Sequence, residues 1–133
     1  MSYYLDTNVC IFFLRGTHPV LLRMVLSHSP SVLKIPAIVA AELVHVAEKS
    51  ASPAKNLEQV KKFLMPFEIA SFDILAAFAY GKIRSTLEKR GEVIGPNDLI
   101  IASTVLSQNG ILVTNNTKEF ARVENLALED WTK

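Results

Sequence analysis

Three carboxylates stand in surroundings that should exclude water. Asp6 interrupts the apolar run YYLDTNVCIFFL, directly after a short strand candidate. Glu42 sits in PAIVAAELVHVA, between residues that belong in a core. Asp98 falls in the first turn of the apolar helix written in GPNDLIIAS. A carboxylate in such a place is costly unless it is paired, hydrogen-bonded or metal-bound. Three brought together repel one another, and a divalent cation relieves that repulsion. An all-oxygen donor set suits Mg2+ or Mn2+ rather than Zn2+. Mg2+ binds through a few carboxylates plus substrate phosphate and keeps several waters. The chemistry indicated is hydrolysis of a phosphodiester by a metal-activated water.

Each residue also has a plainer explanation. Asp6 is a good helix N-cap, with Asn8 as support. Asp98, two residues past Pro96, has a charge that suits the positive end of a helix. Glu42 could face solvent, because Glu is a good helix former. Asn116 and Glu119 have the N-x-x-E spacing of a capping box, and that is the expectation for the pair. His18, His28 and His45 lack metal-ligand spacing and belong on the surface or on helix faces. Tyr3, Tyr4, Phe12, Phe13, Phe63, Phe67, Phe72 and Phe78 are expected in the core or at interfaces. Arg15, Lys82, Arg84 and Arg90 are expected on a solvated face.

The elements that must position these residues alternate. Apolar patterning and Gly/Pro breaks predict strands at 2–5, 33–35, 67–69 and 111–113, with an edge strand at 126–128. Helices are predicted at 7–14, 19–28, 36–49, 53–64, 73–90 and 96–108, with a short one leading from Asn116 to Arg122. Pro36 is expected at the first position of its helix. Short apolar strands alternating with longer helices indicate an α/β fold with a mostly parallel sheet. Ligands of such sheets bind beyond the carboxyl ends of the strands. Asp6 follows the first strand and Thr114 to Asn116 follow the fourth, so both fall at one edge.

The chain has 133 residues, half of them hydrophobic, which is one domain's worth (1–133) with ample material for a core. Its one cysteine, Cys10, rules out an internal disulfide, reads as a small core residue and fits a reducing compartment. No signal peptide or membrane-spanning stretch is expected, which points to the cytoplasm. A net charge of +1 does not advertise a nucleic-acid binder. With the three acids set apart in one site, however, fourteen basic residues face ten acidic ones. A mildly basic body around an acidic pocket suits a polyanion.

Four blocks in order, YYLDTNVCIFFL, IPAIVAAELVHVAEKS, GPNDLIIASTVL and ILVTNNTKEF, with a closing LEDW, span essentially the whole chain. With them the chain resembles the PIN-domain ribonucleases, specifically the VapC-type toxins of type II toxin–antitoxin pairs. The resemblance implies a three-layer α/β/α sandwich around a short, mostly parallel sheet. It implies an endoribonuclease dependent on Mg2+ or Mn2+. The family's first aspartate maps onto Asp6, its helical glutamate onto Glu42, its third acid onto Asp98 and its Ser/Thr onto Thr114. Its fourth acidic position maps onto Asn116, which is not an acid and leaves a second metal in doubt. Asp6 and Asp98 would bind the ion, Glu42 would act through water, and the Asn116 amide would orient a water. Thr7 and Asn8 would hold the Asp6 carboxylate.

The resemblance also implies a VapB-type antitoxin that wraps a groove and reaches the acidic site, and a homodimer. Helices 7–14 and 53–64 are the candidate surfaces for these contacts. Implied substrates are structured RNAs such as tRNA anticodon stem-loops and ribosomal RNA loops. The blocks GPNDLIIAS, VTNNTKEF and LEDW look like the group acting on initiator tRNA. Three other readings compete. One is a PIN-like domain that has lost catalysis and only binds RNA or protein, favoured by the non-acidic Asn116. Another is a metal phosphatase or receiver, which would need paired acids after the first strand, where YYLDTN offers one. The last is a DNA nuclease, which the sequence does not separate from an RNase.

Overall fold

The computed structural model describes all residues, Met1–Lys133. Five short strands form one parallel sheet: β1 (Tyr3–Leu5), β2 (Leu33–Pro36), β3 (Glu68–Ala70), β4 (Ile111–Val113) and β5 (Ala127–Glu129), in the order β3-β2-β1-β4-β5. The helices are α1 (Thr7–Arg15), α2 (Pro19–Ser27), α3 (Ala37–Glu48), α4 (Pro53–Leu64), α5 (Ile74–Arg90), α6 (Pro96–Ser107) and α7 (Thr117–Phe120), with a 3-10 turn at Pro30–Val32. All three residues of β4 are buried, as are Tyr4 and Leu5 of β1, so both faces of the central strands are covered. That double cover is the three-layer α/β/α arrangement expected from strands that read as continuous apolar runs.

The chain builds outwards from β1 to β2 and β3, then returns to the other side of β1 for β4 and β5. The strand order therefore reverses between β1 and β4. Leu5 pairs with Val113 at the carboxyl end of that seam. The ladder continues one step beyond it, where the Asp6 N–H donates to the Val113 carbonyl at 3.0 Å. A crevice at such a reversal is the standard ligand site of open α/β sheets.

A single core of Leu, Ile, Val and aromatic side chains runs through both layers, with Leu5, Val9, Cys10, Ile35, Val39, Ile101 and Leu112 fully excluded from solvent. Gly110, just before β4, lies directly under the ring of Tyr4, so a side chain there has no room. The Tyr4 hydroxyl reaches Gln108 at the end of α6. No single helix is long and apolar enough to cross a membrane; α1 and α2 meet at a bend of 103°.

Predicted boundaries hold to within two residues, with two shifts of note. Pro36 pairs within β2 and caps α3 rather than opening it, because its carbonyl side still belongs to the sheet. Strands β3 and β5 each start one residue later than predicted. Of the aromatics expected in the core or at an interface, Phe72 and Phe78 are not in the core, being 41% and 73% exposed.

Candidate active site

Asp6 is the N-cap of α1 and also the residue that β1 delivers to the sheet edge. It is 5% exposed, yet both carboxylate oxygens have partners. The Thr7 N–H donates to Oδ1 at 2.8 Å, and the Thr114 hydroxyl donates to Oδ2 at 2.7 Å. Burial nevertheless pushes its carboxyl up. The two hydrogen bonds oppose that shift, and the charges of Glu42 and Glu119 add to it. Its N-cap role and its burial therefore coexist.

Glu42 projects from α3 towards the same edge and is half-buried. The Thr7 hydroxyl donates to its Oε1 at 2.7 Å, and the Asn97 amide donates to its Oε2 at 3.4 Å. Thr7 thus holds two acids: Asp6 through its backbone and Glu42 through its side chain. Asn8, expected to help hold Asp6, makes no bond to it. It is exposed on the second position of α1, and its side chain lines an open depression beside Glu42.

Asp98 comes in on the first turn of α6, which Pro96 starts. Its carboxyl is pushed up to about 7. Burial is the first cause, followed by the charges of Asp6 and Glu119, a hydrogen bond shared with Glu119, and the charge of Glu42. The main causes acting on Asp6 and Asp98 include no cationic side chain, and neither acid forms a salt bridge. These two acids are therefore not paired by the chain itself.

The capping box expected at Asn116 and Glu119 does not form. Asn116 precedes α7 without a side-chain cap, and its own N–H is taken by the Thr114 hydroxyl at 3.0 Å. Its amide instead donates to Glu119 Oε2 at 2.9 Å, while Glu119 Oε1 accepts the Gly95 N–H at 3.0 Å. Those two donors, with lesser help from Asp98 and Arg122, hold the Glu119 carboxyl below its usual range. The long Glu side chain reaches across to the start of α6 because that N–H has no intrahelical acceptor of its own. Glu119 is thus a fourth acid of the cluster, and Asn97 is a second ligand-holding amide. Sequence reasoning missed both. Nothing local marks Asn97, and the spacing of Glu119 points to a cap.

Four carboxylates, two threonine hydroxyls and two amides make an all-oxygen donor set, the kind Mg2+ and Mn2+ prefer. No three acids converge closely enough to enclose an ion unaided. An ion here would be held by at most two of the carboxylates and would take its remaining ligands from water, the habit of Mg2+.

The PIN domain family matches residues 3–126. The chain belongs to that family, among its VapC ribonucleases. "Ribonuclease VapC2" of Rickettsia felis is 41% identical over 135 residues, covering 100% of both chains. The "tRNA(fMet)-specific endonuclease VapC" of Shigella flexneri is 36% identical and covers 99% of each. Among solved structures, VapBC2 from Rickettsia felis bound to a DNA fragment from its promoter superposes with a TM-score of 0.92 at 38% identity, over 98% of this chain and 99% of that one. The PIN fold, the VapC lineage and ribonuclease character expected from the sequence blocks are thereby established.

Proposed function

We propose that this chain is a metal-dependent endoribonuclease toxin that cleaves structured RNA, with tRNA as its substrate class, and that a VapB-type antitoxin silences it in the cytoplasm. The reading rests above all on one observation. Asp6 and Asp98 lie together at the β1/β4 reversal with neither in a salt bridge, and burial first, then the charges of Asp6, Glu119 and Glu42, pushes the Asp98 carboxyl up to about 7. Asp6 and Asp98 hold the ion, which is Mg2+ or Mn2+. When bound, it supplies Lewis-acid polarisation of the phosphate and lowers the pKa of the attacking water. Glu42, steadied by Thr7 and Asn97, is placed to accept that water's proton. Thr114 keeps Asp6 aimed. The Asn116 amide oxygen, its nitrogen being committed to Glu119, is the atom left to orient a water.

The binding-only alternative drew its support from the missing acid at position 116. Glu119 brings a carboxylate to that place from one turn further on, which weakens the case. The tRNA assignment follows the relative from Shigella flexneri, whose name gives tRNA(fMet) as its target. The antitoxin assignment follows the solved VapBC complexes. An apolar cleft between α1, α3 and α4, lined by Ile11, Leu14, Leu43, Val46 and Val60, suits a bound segment of such a partner. Exposed Ile74, Leu75 and Phe78 at the start of α5, beside Phe72, offer a face for a homodimer. Incubating the purified chain with total tRNA, ribosomal RNA and single-stranded DNA tests the reading. Discrete tRNA fragments that vanish on adding the antitoxin support it, and cleavage of DNA alone overturns it.

A further inference from the structure

We propose that the depression beside Glu42, between α1 and α3, is a subsite for the RNA sugar–phosphate backbone flanking the scissile phosphate, with Lys49 and His45 as its contacts. The proposal rests on the ribonuclease reading above and deepens it.

The depression measures about 420 Å³ and its polar lining is Thr7, Asn8, Glu42, His45, Lys49 and Asn97. Glu42, His45 and Lys49 follow one another at steps of three and four, so they share one face of α3. At 1.5 Å per residue, Lys49 lies about 10 Å along the helix axis from Glu42. One end of the depression is therefore Glu42, which Thr7 links to Asp6 and to which the Asn97 amide donates. The other end is cationic. A strand whose scissile phosphate sits at the acids has its neighbouring phosphates within reach of that cationic end.

The charge on Lys49 is uncommitted. The chain's ion pairs are Lys34–Glu68, Arg84–Glu88 and Arg90–Glu124, and none involves α3. Both His45 and Lys49 are exposed. A basic final turn also suits the negative end of a helix, but that explanation is indifferent to direction around the axis. Here direction matters, because the same turn carries exposed Glu48, which lies outside the depression while His45 and Lys49 line it. Lysine binds phosphate as a point charge. The imidazole of His45 adds a ring N–H and a flat face on which an unstacked base can rest. The exposed Asn8 amide on the opposite wall can meet a ribose or a base edge.

The test is equilibrium binding of a fluorescein-labelled RNA hairpin with a seven-nucleotide loop, read by anisotropy across a NaCl series. The full chain carries Asp6→Asn to prevent cleavage. Lys49→Gln is expected to weaken binding several-fold and to lower the log–log salt slope by about 0.7, the loss of one single-strand phosphate contact. Lys49→Arg is expected to restore the slope, and His45→Ala to weaken binding with little change in slope. Lys62→Gln, on the end of α4 that feeds β3 and hence at the opposite sheet edge, is expected to change nothing. In the cleaving chain, Lys49→Gln should raise KM with kcat unchanged. If the parent binds RNA but Lys49→Gln and His45→Ala match it in affinity and slope, the subsite is wrong while the ribonuclease reading stands. If those variants loosen only the complex with a VapB-type protein, the depression belongs to that partner and the proposal fails. If the parent binds no RNA, the ribonuclease reading fails first.

Discussion

The Thr114 hydroxyl donates to Asp6 Oδ2 at 2.7 Å across the β1/β4 seam, joining residues 108 positions apart in the chain. The same hydroxyl oxygen accepts the Asn116 N–H at 3.0 Å. One threonine therefore fixes both the strand that carries the first acid and the loop that leads to Glu119. A hydrogen bond to a charged group is worth about 1.5–3 kcal/mol. Thr114→Val, nearly the same shape, should cut kcat/KM by roughly 10- to 100-fold, and it should raise the Asp6 pKa further. Steady-state cleavage kinetics at several metal concentrations check this. A variant as active as wild type would show that Asp6 needs no such support.

Asp98 supplies a pH prediction. Its carboxyl is held at about 7, first by burial and then by the charges of Asp6, Glu119 and Glu42, against about 4 in an unfolded chain. Between those values the native state keeps a proton that the unfolded state has lost. Stability of the metal-free protein therefore falls as pH rises from about 4 to about 7. Asp98 is only half-buried, so solvent screening reduces the effect to on the order of 1 kcal/mol, about 4 °C in Tm. Metal-free Asp98→Asn should melt higher than wild type by that amount at pH 8 and equally at pH 4. Mg2+ should raise the Tm of wild type and not of the variant. Thermal melts at the two pH values, with and without Mg2+, decide it.

Glu119 predicts a shift rather than a loss. Glu119→Gln keeps an oxygen for the Gly95 N–H and removes a negative charge from beside Asp98. Asp98 then gives up its proton at lower pH. The acid limb of the cleavage profile should move to lower pH, read from kcat/KM between pH 5 and 9. A limb that stays in place would put Glu119 outside the electrostatics of the site.

What the sequence disclosed follows from how far each signal travels along the chain. Asp6, Glu42 and Asp98 were legible because each breaks its own apolar run, and a local anomaly is visible locally. The α/β order was legible because strands of three or four residues still differ from helices in length and in Gly/Pro punctuation. Glu119 was not, since its partner Gly95 lies 24 residues away and its spacing to Asn116 imitates a cap. Asn97 was hidden for the same reason, its contact with Glu42 spanning 55 residues. Whether Phe78 belonged to the core or to an outer face was left open, because residue type says nothing of which way a face of α5 turns.

Gly110 predicts a stability loss away from the acids. An alanine methyl there runs into the ring of Tyr4, which is itself 1% exposed and tied to Gln108. Overpacking of this kind costs about 1–3 kcal/mol. Gly110→Ala should lower the urea midpoint accordingly without changing the slope. An unchanged midpoint would mean that the β1/β4 seam yields more easily than its burial implies.

The most direct test of a metal-dependent ribonuclease at this sheet edge is cleavage of total tRNA by the antitoxin-free chain with Mn2+ or Mg2+, beside Asp6→Ala, Asp98→Ala and an EDTA-treated sample. The account predicts discrete fragments from wild type alone, restored after EDTA by adding back Mn2+. Cleavage that persists in Asp6→Ala and Asp98→Ala, or in EDTA, would contradict it.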